Sequence, residues 1–150
     1  MLSQCLCFEI VSDHNSLNGG TAFNKFYGCN FYCSIFKNSK ITSDNPMVTM
    51  FEINGTQFMA LNGGPRFNFT EAVSFVMNCD TQEEIDRYWN KLTEGGEESM
   101  CGWLKDKYGI SWQIVPSVLG KLMSDPKKRN RVIDAFLKMK KFDIQTLLDA

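Results

Sequence analysis

Apolar and polar positions change period along the chain, and the changes mark out its elements. Residues 5–11 form an apolar segment of strand length that runs into the polar stretch 12–20, where Asn18-Gly19-Gly20 is loop chemistry. From 21 to 36 the apolar positions Phe23, Phe26, Tyr27, Ile35 and Phe36 come in spaced clusters, which predicts a helix packed on a sheet. Gly28 and the many aromatic residues lower its intrinsic helicity, so packing has to supply the stability. Strands are predicted at 40–42 and 47–53. Asn54-Gly55 then separates 47–53 from Thr56–Asn62, and both turn residues tolerate the positive φ of a type I′ turn, which predicts an antiparallel hairpin. Gly63-Gly64-Pro65 closes this half with a loop, and residues 73–79 open another apolar strand.

Thr81-Gln82-Glu83-Glu84 has the form of a capping box, with the Thr81 hydroxyl accepting from the Glu84 amide and Glu84 reaching back. The helix it starts has Ile85, Tyr88, Trp89 and Leu92 as a buried stripe, and Gly95 or Gly96 stops it. Strands follow at 98–101, 102–105 and 110–115, and Pro116 ends the last because it has no amide for the ladder. The tail is helical in pattern: a short helix at 117–123, then a second opened by Asp125-Pro126 with Val132, Ile133, Phe136 and Leu137 on its apolar face. A last turn or two over 142–150 is capped by Asp143.

The two halves repeat one another. Gly55-Thr56-Gln57-Phe58 opens the last strand of the first half and Gly109-Ile110-Ser111-Trp112 that of the second, each after a strand, a helix and two more strands. A β-α-β-β-β unit exposes one apolar sheet face, and pairing two such units buries both. The predicted fold is therefore α+β: two βαβββ modules forming a curved mixed sheet around a cleft, with a C-terminal helical extension. Residues 1–150 read as a single domain, with module one at about 4–64, module two at about 70–116 and the helical tail at 117–150.

Composition narrows the function. At 150 residues and 43% hydrophobic content the chain can bury one proper core. Its apolar runs fall far short of the roughly 20 residues that cross a bilayer. The start, Met1-Leu2-Ser3-Gln4-Cys5, has neither a basic leader nor a cleavage site, so a cytoplasmic location is expected. Sixteen basic and seventeen acidic side chains leave a net charge of -1 and no field to draw in nucleic acid. The charges are segregated into an acidic run, 80–98, and a basic run, 127–141, which read as solvated faces, with anion or partner docking by the basic helix as the alternative. Six cysteines at 5, 7, 29, 33, 79 and 101, in a chain with no secretory signal, read as mostly buried thiols; a four-thiolate site from the 5/7 and 29/33 pairs would lack zinc-knuckle spacing.

Several stretches resemble the PhnB-like branch of the vicinal-oxygen-chelate superfamily (glyoxalases, bleomycin-resistance proteins and dioxygenases): 34–41, Phe58 to Pro65, Phe69 to Asp80, 82–86, Cys101-Gly102-Trp103-Leu104-Lys105-Asp106-Lys107-Tyr108-Gly109 and 111–116. The likeness runs from about Ser34 to the C-terminus and includes Ser124-Asp125-Pro126. Before Ser34 the chain departs from it, with a longer connection at 13–20, and Ser43-Asp44-Asn45 is shorter than the usual link. The branch often carries the label 3-demethylubiquinone-9 3-methyltransferase. The sequence has no glycine-rich strand-to-helix turn followed by an acidic ribose ligand, which argues against S-adenosylmethionine.

The resemblance implies a homodimer and a cleft where metal-using members place His and Glu ligands from the first and last strand of each module. The internal repeat puts Met59 and Gln113 at the last-strand positions, Ser74 at the first strand of module two, and Gln4 or Cys5 at that of module one. None is a carboxylate or an imidazole, and Met, Ser and Gln hold a hard or borderline cation weakly, so no metal and no cofactor is expected. The single histidine, His14, falls in a polar loop and cannot build a catalytic dyad or triad. Glu9 or Glu52 could act as a general acid or base, although strand carboxylates are commonly just solvated. Trp103, Trp112, Phe75, Met59 and Met77 line or back the cleft. The candidate ligand-binding residues are Met59, Leu61, Asn62, Ser74, Trp103 and Gln113, an apolar surface with a few polar points. The expected function is binding of a small molecule; the alternatives are a metal-dependent lyase, isomerase or dioxygenase, and, third, a methyltransferase.

Overall fold

A computed structural model describes residues 5–10, 25–62 and 69–150 of the chain. The chain divides into two compact units, Met1–Asn68 and Phe69–Ala150. In the first, β1 (Cys5–Ile10) and α1 (Lys25–Ile35) precede β2 (Ser39–Asp44), β3 (Val48–Ile53) and β4 (Thr56–Asn62). These strands make a four-stranded sheet in the order β1-β4-β3-β2, with β1 and β4 parallel and the other pairs antiparallel. The second unit has β5 (Ser74–Cys79), α2 (Gln82–Thr93), β6 (Glu97–Glu98), β7 (Trp103–Lys105) and β8 (Ser111–Pro116), and its sheet order is β5-β8-β7-β6 with β5 and β8 parallel. The two topologies are the same, as the sequence repeat predicts.

In the first unit, α1 buries Cys29, Tyr32 and Ile35 at helical spacing. Tyr32 stacks on Phe51 at 6.3 Å between ring centroids, and Phe51 on Phe58 at 5.2 Å, which ties the helix to β3 and β4. The hairpin forms where Asn54-Gly55 predicts it, with φ of 48° and 80° at the turn. Only a residue that tolerates the left-handed region serves there, and glycine does so without a Cβ penalty.

In the second unit α2 buries the expected stripe of Ile85, Tyr88, Trp89 and Leu92. Its cap is a variant of the predicted box: Thr81 Oγ1 accepts from the Glu84 amide at 3.3 Å, while the Glu84 carboxylate accepts from the amide of Asp80, one residue earlier. Gly95, at φ 76°, follows the last helical residues. The predicted strand at 98–101 is shorter than expected. β6 ends at Glu98, because Cys101 and Gly102 take φ of 57° and 79° and turn the chain so that the Trp103 amide donates back to Met100.

The helical extension is α3 (Val118–Ser124), α4 (Arg129–Phe136) and α5 (Ile144–Asp149). Asp143 caps α5 through the Thr146 amide at 2.7 Å. The apolar face expected of the second tail helix is narrower than predicted: Val132 is fully buried, but Leu137 is 54% exposed, because the helix has ended and the chain turns away. That turn brings 136–144 onto the sheet. Cys101 and Gly102 donate backbone hydrogen bonds to Met139 and Lys140, each at 2.7 Å, and Gln82 clamps the segment by donating to the Phe142 carbonyl and accepting from the Ile144 amide. Lys141 reaches Asp86 at 2.6 Å and Lys140 reaches Glu98 at 3.4 Å, so the acidic and basic runs meet at these pairs. No helix among the described residues is long and apolar enough to cross a membrane.

Candidate functional site

Each sheet has one face under its helix and one face left to other purposes, and the strand register says which residue stands where. In the second unit, Glu98 accepts from the Trp89 indole at 3.0 Å, which fixes Glu98 on the α2 side. Its partners Leu104 and Trp112 follow it, and Phe75 packs on Trp112 at 5.2 Å. The opposite face therefore carries Glu97, Trp103, Lys105, Ser111, Gln113 and Ser74. The same reasoning in the first unit puts Phe51 and Phe58 under α1 and leaves Met50, Met59, Glu52 and Leu61 on the helix-free face.

Three of the candidate binding residues come together on the second sheet. Gln113 donates from Nε2 to Ser74 Oγ at 2.8 Å, and Trp103 lies directly across from Gln113 in the ladder. All three are half-buried, which suits groups that meet a ligand. Met59 and Leu61 share the helix-free face of β4, also half-buried. Asn62 ends β4, opposite Ile10. Trp112 is a different case: its indole donates to Asp106 Oδ2 at 2.8 Å on the helix side, so it packs the core and lines no site. Phe75 and Met77 stand on that same side.

The register also sharpens the mapping between modules. Cys5 pairs with Gln57 and Ser74 with Ser111, at equivalent places in the two sheets, so Cys5 is the counterpart of Ser74. Gln4, His14, the loop 13–20 and Gly63-Gly64-Pro65 lie outside the described residues, as does the side chain of Glu9. Glu52 is half-buried on β3.

Beside Gln113 lies a group the sequence pattern did not single out. Glu71 and Lys105 pair at 2.8 Å, and the bond from Lys105 holds the Glu71 carboxyl below its usual range while Glu71 raises the Lys105 ammonium. Glu71, Glu97, Glu98, Ser99, Trp103, Leu104, Lys105 and Ser111 line a cavity of about 150 Å³. Period-two alternation in Trp103-Leu104-Lys105 was the available signal for the strand residues. Glu71 comes from a turn ahead of β5, where no periodicity exists to read.

The 3-demethylubiquinone-9 3-methyltransferase family model matches residues 23–115. The chain belongs to that family, the PhnB-like branch of the vicinal-oxygen-chelate proteins. A Bacillus cereus PhnB protein described as a 3-demethylubiquinone-9 3-methyltransferase is 31% identical, over 77% of this chain and 98% of its own, with a TM-score of 0.58. A Pseudomonas aeruginosa protein shares the fold at 17% identity over 77% of this chain and 98% of its own, with a TM-score of 0.52. No curated protein matches the sequence.

The first- and last-strand positions that the sequence resemblance marks for metal ligands carry no carboxylate or imidazole. Gln113 Nε2 donates to Ser74 Oγ, and the remaining last-strand position is the thioether of Met59. Such neutral donors hold a divalent ion poorly. Among the described residues no group of three or more His, Cys, Asp or Glu side chains is placed to hold one. The described cysteines, Cys29, Cys33, Cys79 and Cys101, form no disulfide, and burial with nearby Glu84 and Asp80 pushes the Cys79 thiol up to about 12, which leaves it a packing residue.

Proposed function

We propose that this PhnB-like protein binds a small organic molecule on the helix-free face of its second sheet, without metal chemistry. The observation that carries the reading is the Gln113–Ser74 hydrogen bond beside the half-buried Trp103. A preformed amide–hydroxyl pair beside an indole supplies both a donor and an acceptor of fixed direction, and the indole supplies a wall. On the first sheet, taken by itself, Met59 and Leu61 occupy the helix-free face as a second candidate surface. The protein works as a cytoplasmic homodimer, with 1–150 as one functional domain.

The family's description suggests methyl transfer, which would call for S-adenosylmethionine. The β5–α2 junction lacks the usual cradle for it: it reads Asp80-Thr81 and has no glycine, the Glu84 amide is taken by Thr81, and the Asp80 amide just ahead of the helix is taken by the Glu84 carboxylate. A helix N-terminus that caps itself offers fewer free amides to an anionic group.

The test is a thermal-shift screen of the intact protein against a metabolite panel, with hits repeated on Gln113→Leu and Trp103→Leu. A true ligand raises the midpoint of the native protein with increasing concentration and loses most of that shift in both variants. Hits that shift all three proteins equally bind elsewhere and sink the proposal.

A further inference from the structure

One rung of the second sheet carries the chemistry of the proposed face. Gln113 stands on β8 between Val76 on β5 and Trp103 on β7, all on the side away from α2. Directly opposed side chains of neighbouring strands are nearest neighbours on a face, so the rung is an amide flanked by an aliphatic and an aromatic side chain. Val76 is 55% exposed, and Gln113 and Trp103 are half-buried, which leaves the rung within reach of a ligand. Among the described residues Gln113 makes one side-chain hydrogen bond, from Nε2 to Ser74 Oγ at 2.8 Å. A primary amide has two N–H donors and an acceptor oxygen, so Oε1 and one amide hydrogen are left for another partner. The ions nearby are matched among themselves: Lys105 bonds Glu71 at 2.8 Å and is attracted by Glu97 as well. The rung itself is uncharged, and an ionic ligand would find no counter-charge on it to offset the loss of its hydration.

These features narrow the ligand. A group that matches Oε1 and the N–H of one carboxamide has its own donor and acceptor side by side on one edge. Open-chain secondary amides are trans and point N–H and C=O in opposite directions. A carboxylic acid has such an edge but is ionised at neutral pH, and an open-chain primary amide has no ring to lay against an indole. A cyclic amide is held cis by its ring and keeps the edge without charge, and a flat one also stacks on an aromatic face.

We infer that this rung takes a neutral, planar cyclic amide, a lactam or pyrimidinone ring, with its C=O/N–H edge paired to Nε2 and Oε1 of Gln113 and its ring against Trp103. The inference rests on the proposed binding face and names the class of its ligand. Ser74 takes the amide hydrogen remote from Oε1, which holds the amide plane in place and leaves the paired edge free.

The experiment is a titration of the full chain, followed through its tryptophan indole N–H and glutamine side-chain amide resonances, with 2-pyridone, N-methyl-2-pyridone and δ-valerolactam. The first has both the edge and the flat ring, the second keeps the ring and loses the donor, and the third keeps the edge on a puckered, saturated ring. 2-Pyridone moves the Trp103 and Gln113 signals saturably. Each of the other two binds at least about fivefold more weakly, the loss expected for about 1 kcal/mol of hydrogen bonding or stacking. Gln113→Leu removes the preference for 2-pyridone over its N-methyl form, and Trp103→Leu removes the preference over δ-valerolactam; residues that only held the sheet together would weaken all three probes alike. No saturable response, equal binding of 2-pyridone and either control, or a preference over the N-methyl form that persists in Gln113→Leu each overturn the inference. If it falls while metabolites of another class still depend on Gln113 and Trp103, the binding face stands and only the ligand class is wrong; if no metabolite depends on them either, the face itself is refuted.

Discussion

The two modules share a topology strand for strand, yet their helix-free faces carry different chemistry. Opposite the helix, the first sheet presents Met50, Met59 and Glu52 where the second presents Trp103, Gln113 and Lys105. Under the helices the two sheets agree: Phe58 and Trp112 sit two and one residues into their last strands, and both are nearly buried, at 8% and 5% exposed. One side of the sheet is thus constrained by burial, and the other is left to vary between modules with little effect on the fold.

The largest effects should come from the shared, buried side. Phe58→Ala and Trp112→Ala each cost about 3–5 kcal/mol by removing a core aromatic, as read from urea denaturation. Trp112→Ala falls at the upper end, since it also deprives buried Asp106 of the indole bond while Asp106 continues to accept from the amides of Tyr108 and Ile110. Equal costs for the two would show that the Asp106 network adds nothing. Next comes Gly102→Ala. The left-handed φ of 79° costs an alanine about 1–2 kcal/mol, and its Cβ would lie 2.5 Å from the Phe142 ring and 2.7 Å from the Ile114 carbonyl. The tail should loosen first, seen as lost hydrogen-exchange protection at the Cys101 and Gly102 amides; unchanged protection there would refute the idea that this glycine seats Phe142.

Gln113→Met, which writes the first module's residue into the second, should change stability by less than about 1 kcal/mol, because the bond to Ser74 is a single half-buried one. Its consequence should be functional: ligands found by thermal shift lose their effect. A large loss of stability instead would mean that the polar pair holds the sheet together and has no role in recognition.

That division between faces also decides what could be read from the chain. The helix-side stripe of α2, the Asn54-Gly55 hairpin and the doubled β-α-β-β-β order were legible, because each obeys a local period or turn preference that burial enforces. The break at Cys101 was not, because a non-glycine residue at positive φ leaves no mark in a hydrophobicity pattern; it depends on the tail carbonyls of Met139 and Lys140, some forty residues away. Of the candidate site, mapping one module on the other pointed to Ser74 and Gln113, and Trp103 was named as an aromatic residue of the cleft; the register sets the three on one face. Ser111 and Glu71 were missed, since an unpaired hydroxyl and an ion pair across a turn are facts of geometry alone.

The smallest expected effect lies where the acidic and basic runs meet. Lys141 donates to Asp86 at 2.6 Å, and this bond, first among the causes, lowers the Asp86 pKa below its ordinary 3.8. A depressed carboxylate pKa stabilises the folded state above the unfolded value, and the contribution disappears as pH falls through the lower, folded value. Both side chains are well exposed, at 36% and 43%, so screening keeps the pair below about 1 kcal/mol. Lys141→Met should accordingly lower stability slightly at pH 7 and hardly at all near pH 2, with the difference shrinking in high salt. Gln82 complicates this, because it bonds Asp86 and clamps the tail at Phe142 and Ile144 whatever the charge on Asp86. The tail should therefore stay docked in Lys141→Met and come loose in Gln82→Ala, and urea curves of the two variants across pH separate the electrostatic link from the hydrogen-bonded one.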